Sequence, residues 1–349
     1  MQLTRDNRVA ILLHQGVRNR GGKTGLAYLR YGEAPVVAVI DADCPGESLR
    51  ELTGIPCDAP IVDSVTEALA YHPDVLLIGL APTGGKLPPA WQQEVKEAVE
   101  AGLSLVNGLH ASMQGIVENL RPGQWIWDIR QEPPGLSVAK GKARSLPCQR
   151  ILAVGTDMRV GKMSACLELQ RAAHKQGLNS RFIATGQAGL MIAGEGIPLD
   201  AVRVDFAAGA VEAAVLEAGK DCDILFIEGQ GSLLHPGSTA ALPLMRGSQP
   251  TGLILVHKAG QESIHNCPDI FIPPLPEVVQ LYETVVRAGG AFFPAKVKAI
   301  ALNTSNLDEY RAQQEIDRVS EETGLPCYDV VRFGAEDLLK DALCEADAV

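Results

Sequence analysis

Short apolar runs recur along the chain and alternate with stretches whose apolar positions fall three and four apart. The runs Val9–Leu13, Val36–Ile40, Val75–Gly79, Leu103–Val106 and Trp125–Ile129 predict strands; Thr24–Tyr31, Val65–Tyr71 and Ala90–Ala101 predict helices, the last stopped by Gly102. The rhythm breaks at 131–150, where proline, glycine and charge carry no period, and then resumes. Strands are expected at Ile151–Val154, Arg181–Ala184, Ile224–Ile227, Leu253–His257, Val297–Leu302 and Cys327–Val331. Helices are expected over 162–176, Ala210–Ala218, Glu277–Ala288, Asp308–Glu322 and Ala335–Cys344. Strand–helix alternation of this kind implies α/β units with mostly parallel sheets and helices on both faces. The expected division is a first domain over 1–145 and a second over 146–349.

The second domain opens on the most informative stretch. Four apolar residues are followed by Gly155-Thr156-Asp157-Met-Arg-Val160-Gly161-Lys162-Met163-Ser164 and then a helical run. Strand, glycine-bounded loop, Gly-Lys and helix form the context of a phosphate-binding P-loop: glycines let backbone N–H groups converge, the helix terminus adds partial positive charge, and the lysine adds a full one. The fold class expected is therefore a Rossmann-like parallel-sheet domain followed by a P-loop NTPase-like α/β domain. Gly155, Thr156, Asp157, Val160, Gly161, Lys162, Met163 and Ser164 are candidate cofactor contacts. Glu228 ends a strand in Glu228-Gly-Gln230-Gly231, the position where open α/β sheets bind ligands, and its carboxylate suits Mg²⁺. Asp205, Asp200 and Ser164 are further oxygen donors. Met163 stands where a P-loop normally carries the Mg²⁺-binding hydroxyl. Ser164, one residue later, is rotated by about 100° around the helix, so metal use is left open. His235 follows the Glu228 loop and is the candidate acid or base, with Glu228 and Asp157 as the other catalytic candidates.

A second glycine-rich loop, His14-Gln15-Gly16 through Gly21-Gly22-Lys23-Thr24, follows the first strand, and Asp41 ends the next. It mimics a P-loop, but lacks the GxGxxG of dinucleotide sites and reads more simply as a turn. Gly79–Lys86 and Asn107-Gly108-Leu109-His110 end strands on the same side.

Bulk properties narrow the classes. The formal net charge is −11 and no basic run occurs, which speaks against nucleic acid. No apolar run is long enough to cross a membrane. The eight cysteines show no CxxC and no zinc spacing, which suits a reducing, cytoplasmic setting. A small-molecule substrate is expected and a homo-oligomer is allowed.

The loop Gly155-Thr-Asp…Val-Gly-Lys resembles that of dethiobiotin synthetases and related ATP-dependent amidoligases. That resemblance implies ATP as cofactor, a substrate-binding role for Arg181 in place of their lysine, and contacts from Gln187 and Gln230. It also makes Glu228 the Mg²⁺ ligand and Asn303 a base-reading residue. The whole chain resembles the family called domain of unknown function 1611. The residues that carry this are Arg30-Tyr31-Gly32 before Asp41, Gly155–Ser164, Thr185-Gly186-Gln187-Ala-Gly189-Leu-Met191-Ile192, Asp205-Phe206 to Glu212, and Glu228 to Pro236. The resemblance implies a Rossmann-like and a P-loop domain and, from some members, N-acetylation of D-glutamate or a related acidic amino acid with acetyl-CoA. His235 or Glu228 would then act as base and Arg181 or Arg203 as carboxylate anchor. An ATP- and Mg²⁺-dependent ligase and a non-catalytic nucleotide-binding regulator are the alternatives.

Overall fold

A computed structural model describes residues 3–82, 85–115, 117 and 119–344. Thr83 and Gly84, within the Gly79–Lys86 loop singled out above, lie outside the described residues. Two compact units are present: 1–132 with 187–201, and 133–186 with 202–349.

The first unit contains β1 (Val9–Leu12), α1 (Lys23–Tyr31), β2 (Val36–Ile40), α2 (Leu49–Thr53), β3 (Ile61–Val62), α3 (Val65–Ala68), β4 (Val75–Ile78), α4 (Pro89–Ala101), β5 (Ser104–Asn107) and β6 (Ile126–Asp128). All strand pairs are parallel and the order is β3-β2-β1-β4-β5-β6. The order reverses between β1 and β4, giving a doubly wound sheet. β1 and β4 are buried at every position because helices cover both faces, which is why they read as unbroken apolar runs. α4 begins on Pro89 and ends at Gly102 in the left-handed region (φ 110°), as its sequence signals imply.

The second unit contains β7 (Gln149–Gly155), α5 (Lys162–Lys175) and β8 (Ser180–Ile183). The chain then adds α6 (Gln187–Ala193), which belongs to the first unit. It continues through α7 (Val204–Ala218), β9 (Ile224–Ile227), α8 (Ala241–Ser248), β10 (Gly252–Lys258), a hairpin of β11 (Ser263–Ile264) and β12 (Cys267–Phe271), and α9 (Leu275–Arg287). The last elements are β13 (Val297–Asn303), α10 (Glu309–Thr323), β14 (Cys327–Tyr328) and α11 (Glu336–Leu343). Six parallel strands run β14-β13-β10-β7-β9-β8, with the P-loop strand β7 in the interior. The α/β class with parallel sheets, expected from the alternation of patterns, is what the fold contains. No described helix is long and apolar enough to cross a membrane.

The connector after residue 132 is strapped to α7. The buried Glu212 carboxylate accepts N–H bonds from Lys140 (2.9 Å) and Lys142 (2.6 Å). Gly209 lets the strap approach so closely that a Cβ there would lie 1.7 Å from the Ser137 carbonyl oxygen.

Candidate functional site

The P-loop leaves β7 at Gly155 and enters α5 at Lys162. Gly161 sits at φ 118°, a conformation that requires glycine, and turns the backbone into the helix. Thr156 N–H returns to the sheet through the Val256 carbonyl (3.1 Å), and Met158 N–H is taken by Asp157 Oδ1 (2.6 Å). The N–H groups of Arg159, Val160, Gly161 and Met163 donate to no protein group among the described residues. They stand at the N-terminus of a 14-residue helix whose N-cap supplies no side-chain acceptor, the arrangement that binds anions. Lys162 is buried, and its Nζ donates to the Asp157 carbonyl oxygen (2.7 Å), inside the loop. The approach is tight: a Cβ on Gly155 would lie 3.1 Å from Lys162 Nζ, and one on Gly229 2.8 Å from Lys162 Cδ and 1.7 Å from the Ala153 carbonyl oxygen.

Several groups remote in sequence hold this loop. Tyr282 Oη donates to the Gly155 carbonyl (2.7 Å) and accepts from Leu233 N–H (3.1 Å). Ser232 Oγ donates to the Thr156 carbonyl (3.1 Å). Thr156 Oγ1 and His257 Nδ1 are 2.9 Å apart, both buried. Burial pulls the His257 pKa down to about 4. Sequence reading missed Tyr282, and gave Ser232 only within the Glu228–Pro236 motif and His257 only as a strand-end histidine more often structural than catalytic, because nothing near them in the chain marks a phosphate loop.

The remaining candidates separate by position. Glu228, just past β9, accepts N–H bonds from Thr185 (2.8 Å) and Gly186 (3.2 Å) at Oε2, and the next residue, Gly229, is the one whose backbone lies against the lysine stem. Asn303 spends its amide on the loop itself: Nδ2 donates to the Val160 carbonyl (2.9 Å) and Oδ1 accepts from Ser305 N–H (3.1 Å). Asp157 is fully buried, and its Oδ2 accepts from Gln261 Nε2 and His265 N–H, both at 2.6 Å. It anchors both the lead-in to the β11–β12 hairpin, at Gln261, and the hairpin turn, at His265. His235 Nδ1 accepts from Gly237 N–H (3.0 Å), which puts the proton of the neutral ring on Nε2. The ring presents a donor.

Gln230 Oε1 is buried with no partner among the described residues, and Gln230 lines a small pocket with Leu152, Met245 and Tyr282. Gln187 opens α6 in the first unit and donates to Thr24 Oγ1 (3.0 Å). Arg181 is exposed near the start of β8, at the strand end opposite the loop, within electrostatic reach of Glu217 and Cys222. Arg203 occupies the N-cap position of α7 and its guanidinium lies over the Phe206 ring. Asp205 is exposed in the first turn of that helix, and Asp200 pairs with Arg130 in the first unit. Ser164 and Met163 are half-buried in the first turn of α5. No group of three or more His, Cys, Asp or Glu side chains suited to a metal occurs among the described residues.

Family models match residues 137–339 as the P-loop domain and 42–132 as the Rossmann-like domain of domain of unknown function 1611. The chain belongs to the DUF1611 family. A crystal structure of a DUF1611 family protein from Anabaena variabilis is 60% identical and superimposes with a TM-score of 0.93, covering 97% of this chain and 99% of that one. Two curated relatives are each named D-glutamate N-acetyltransferase. The one from Tritonibacter scottomollicae is 36% identical, and the one from a Pseudoalteromonas species 32%; each match covers 80% of this chain and 84% of the relative.

Proposed function

We propose that this DUF1611 protein moves the acetyl group of acetyl-CoA onto the amine of D-glutamate or a related acidic amino acid. The observation that carries the reading is the set of N–H groups of Arg159, Val160, Gly161 and Met163, which donate to no protein group among the described residues, beside Lys162, in a chain whose relatives bear that enzyme name. A diphosphate is the ligand proposed for this cradle. The amides would supply oriented dipoles, and Lys162 Nζ would exchange a backbone carbonyl for a phosphate oxygen. Bound acetyl-CoA would supply the activated thioester. No phosphoryl group moves in this chemistry, so Met163 in place of a metal-binding hydroxyl costs nothing.

In the transfer a C–N bond forms, a C–S bond breaks, the amine loses a proton and the thiolate gains one. Glu228 is the acceptor proposed for the amine proton. His235, with its donor at Nε2, is proposed to stabilise the developing negative charge or to return a proton to sulfur.

The test is to incubate the protein with acetyl-CoA and D-glutamate, following free thiol and N-acetylglutamate by mass spectrometry, with L-glutamate in parallel. Product that depends on D-glutamate supports the reading. Release of ADP and phosphate from Mg²⁺-ATP, without thiol release, overturns it in favour of a ligase of the dethiobiotin-synthetase kind.

A further inference from the structure

At the C-terminal end of the first unit's sheet, a turn between β5 and β6 is braced with unusual completeness. Asn107, fully buried at the end of β5, accepts from Leu109 N–H (3.0 Å) and donates to the Ala111 carbonyl (2.9 Å) and to Asp128 Oδ1 (2.7 Å). Asp128, at the end of β6, also accepts from Met113 N–H (3.1 Å) and Ser112 Oγ. The two strand ends thereby fix residues 108–113, and His110 stands exposed at the crest. Two residues past Asp128, Arg130 lies largely buried and donates from Nη1 both to His110 Nε2 and to Asp200 Oδ2, the latter at 3.1 Å. Its Nε is buried with no partner.

Three features have no structural purpose that the fold requires. A guanidinium is held out of water with one donor unspent, although buried polar groups are normally paired. Burial pulls its pKa below the ordinary arginine value, and Asp200 opposes that. An exposed imidazole accepts from that cation at Nε2, so the neutral ring carries its proton on Nδ1 and offers a second donor. Two strand-end side chains spend all their hydrogen bonds on keeping the turn rigid. Preorganised donors backed by a supporting layer, at the strand ends where α/β sheets take ligands, are what a binding site for an oxyanion needs.

We infer that Arg130 and His110 form a carboxylate-binding site in the N-terminal unit, with Asp200, on Nη1, as an internal carboxylate that competes for the same guanidinium. The planar fork of arginine matches a carboxylate, and a bidentate pair would use the Nε edge that has no partner. The ligand class is a carboxylate, and the choice of a short dicarboxylate as probe follows from the acetyltransferase reading. Its identification with an acidic amino acid rests on the acetyltransferase reading, whereas the anion site does not.

Calorimetric titration of the full chain with glutarate and with D-glutamate, in the absence of acetyl-CoA, tests the inference. Saturable binding of both is expected, with at least tenfold loss in Arg130→Gln. Asp200→Asn removes the competitor and is expected to tighten glutarate several-fold. That gain is a result that mere damage to the fold would not produce, so it keeps the test decisive if Arg130→Gln folds poorly. Binding of neither compound, Arg130→Gln binding like wild type, or Asp200→Asn binding no tighter would each overturn the site. If glutarate binding depends on Arg130 while no acetyl transfer is found, the acetyltransferase reading falls and the site stands. Transfer without Arg130-dependent binding gives the converse.

Discussion

Two loops of this molecule look alike in sequence and differ in what they do with their amides. Each follows an interior strand of a parallel sheet, each has five residues between its glycines, and each ends in Gly-Lys before a helix: Gly16 to Lys23 and Gly155 to Lys162. In the first loop the N–H groups of Gln15 and Val17 donate to Asp41 (2.9 and 3.1 Å), and Gly16 N–H donates to the Leu13 carbonyl (2.7 Å). Thr24 at the helix start is taken by Gln187. An internal carboxylate already occupies the anion's role. In the second loop the carboxylate at hand, Asp157, faces away and holds Gln261 and His265, so the amides over 159–161 stay available. A glycine-lysine spacing therefore does not by itself make an anion site; what decides is whether the chain supplies its own anion.

The largest effect expected to separate the loops comes from their lysines. Lys162→Ala should weaken acetyl-CoA or ATP binding by about 1.5–3 kcal/mol, the worth of a hydrogen bond to a charged group, with the fold retained. Lys23→Ala should leave that affinity unchanged. Equal losses in the two variants, read by calorimetry, would erase the distinction.

Acid should expose the support beneath the second loop. The His257 pKa is about 4 in the folded chain against 6.5 for the free side chain. Above pH 6.5 the ring is neutral in both states. As pH falls through 6.5 the unfolded chain gains the proton first, so stability is lost progressively between pH 6.5 and 4. The loss from this group amounts to about 2.5 kcal/mol by pH 4.5. Urea unfolding of the wild type and of His257→Gln at pH 7 and 4.5 measures it: the variant, which has no ring to protonate, should lose correspondingly less.

How much of this could be read from sequence follows from where each signal sits. The P-loop was visible because strand, glycines, lysine and helix are contiguous, and Glu228 because a strand-end carboxylate is a local pattern. β2 and β9 fall where their apolar runs place them. The supports were not visible: Tyr282 reaches Gly155 across 127 positions and Ser232 reaches Thr156 across 76, and a side chain that touches a loop only in three dimensions leaves no mark beside it. Asp41 was noticed as a strand-end acid, but its use as a cap on the preceding loop depends on the parallel pairing of β1 with β2. The α6 segment was read only as part of a motif. Its seven residues carry no helical period long enough to register, and its packing in the first unit is a tertiary fact.

Asp41→Asn should sharpen the contrast from the other side. The carboxylate accepts from Gln15, Val17 and Asp43 N–H, and an amide in its place turns one acceptor into a donor facing donors. A loss of roughly 1–3 kcal/mol is expected for buried donors left unmet, visible as a lower Tm with acetyl-CoA affinity unaltered. A change in affinity would mean that the first loop also takes part in holding the ligand.

The smallest effect is the most specific. Gly21 and Gly161 both precede a Gly-Lys or Lys in these loops, yet their geometry differs. A Cβ on Gly21 would meet nothing within 4 Å, and its φ lies outside the left-handed range. Gly161 sits at φ 118°, where any L side chain is strained. Gly21→Ala should therefore change stability by no more than about 0.5 kcal/mol, with a slight gain possible because alanine restricts the unfolded chain. Gly161→Ala should cost more than that and reduce ligand affinity as well, since the strain falls on the backbone that carries the amides proposed to hold the diphosphate. Denaturant midpoints for the pair, measured with and without acetyl-CoA, decide whether glycine in the first loop is a matter of convenience and in the second a requirement of the site.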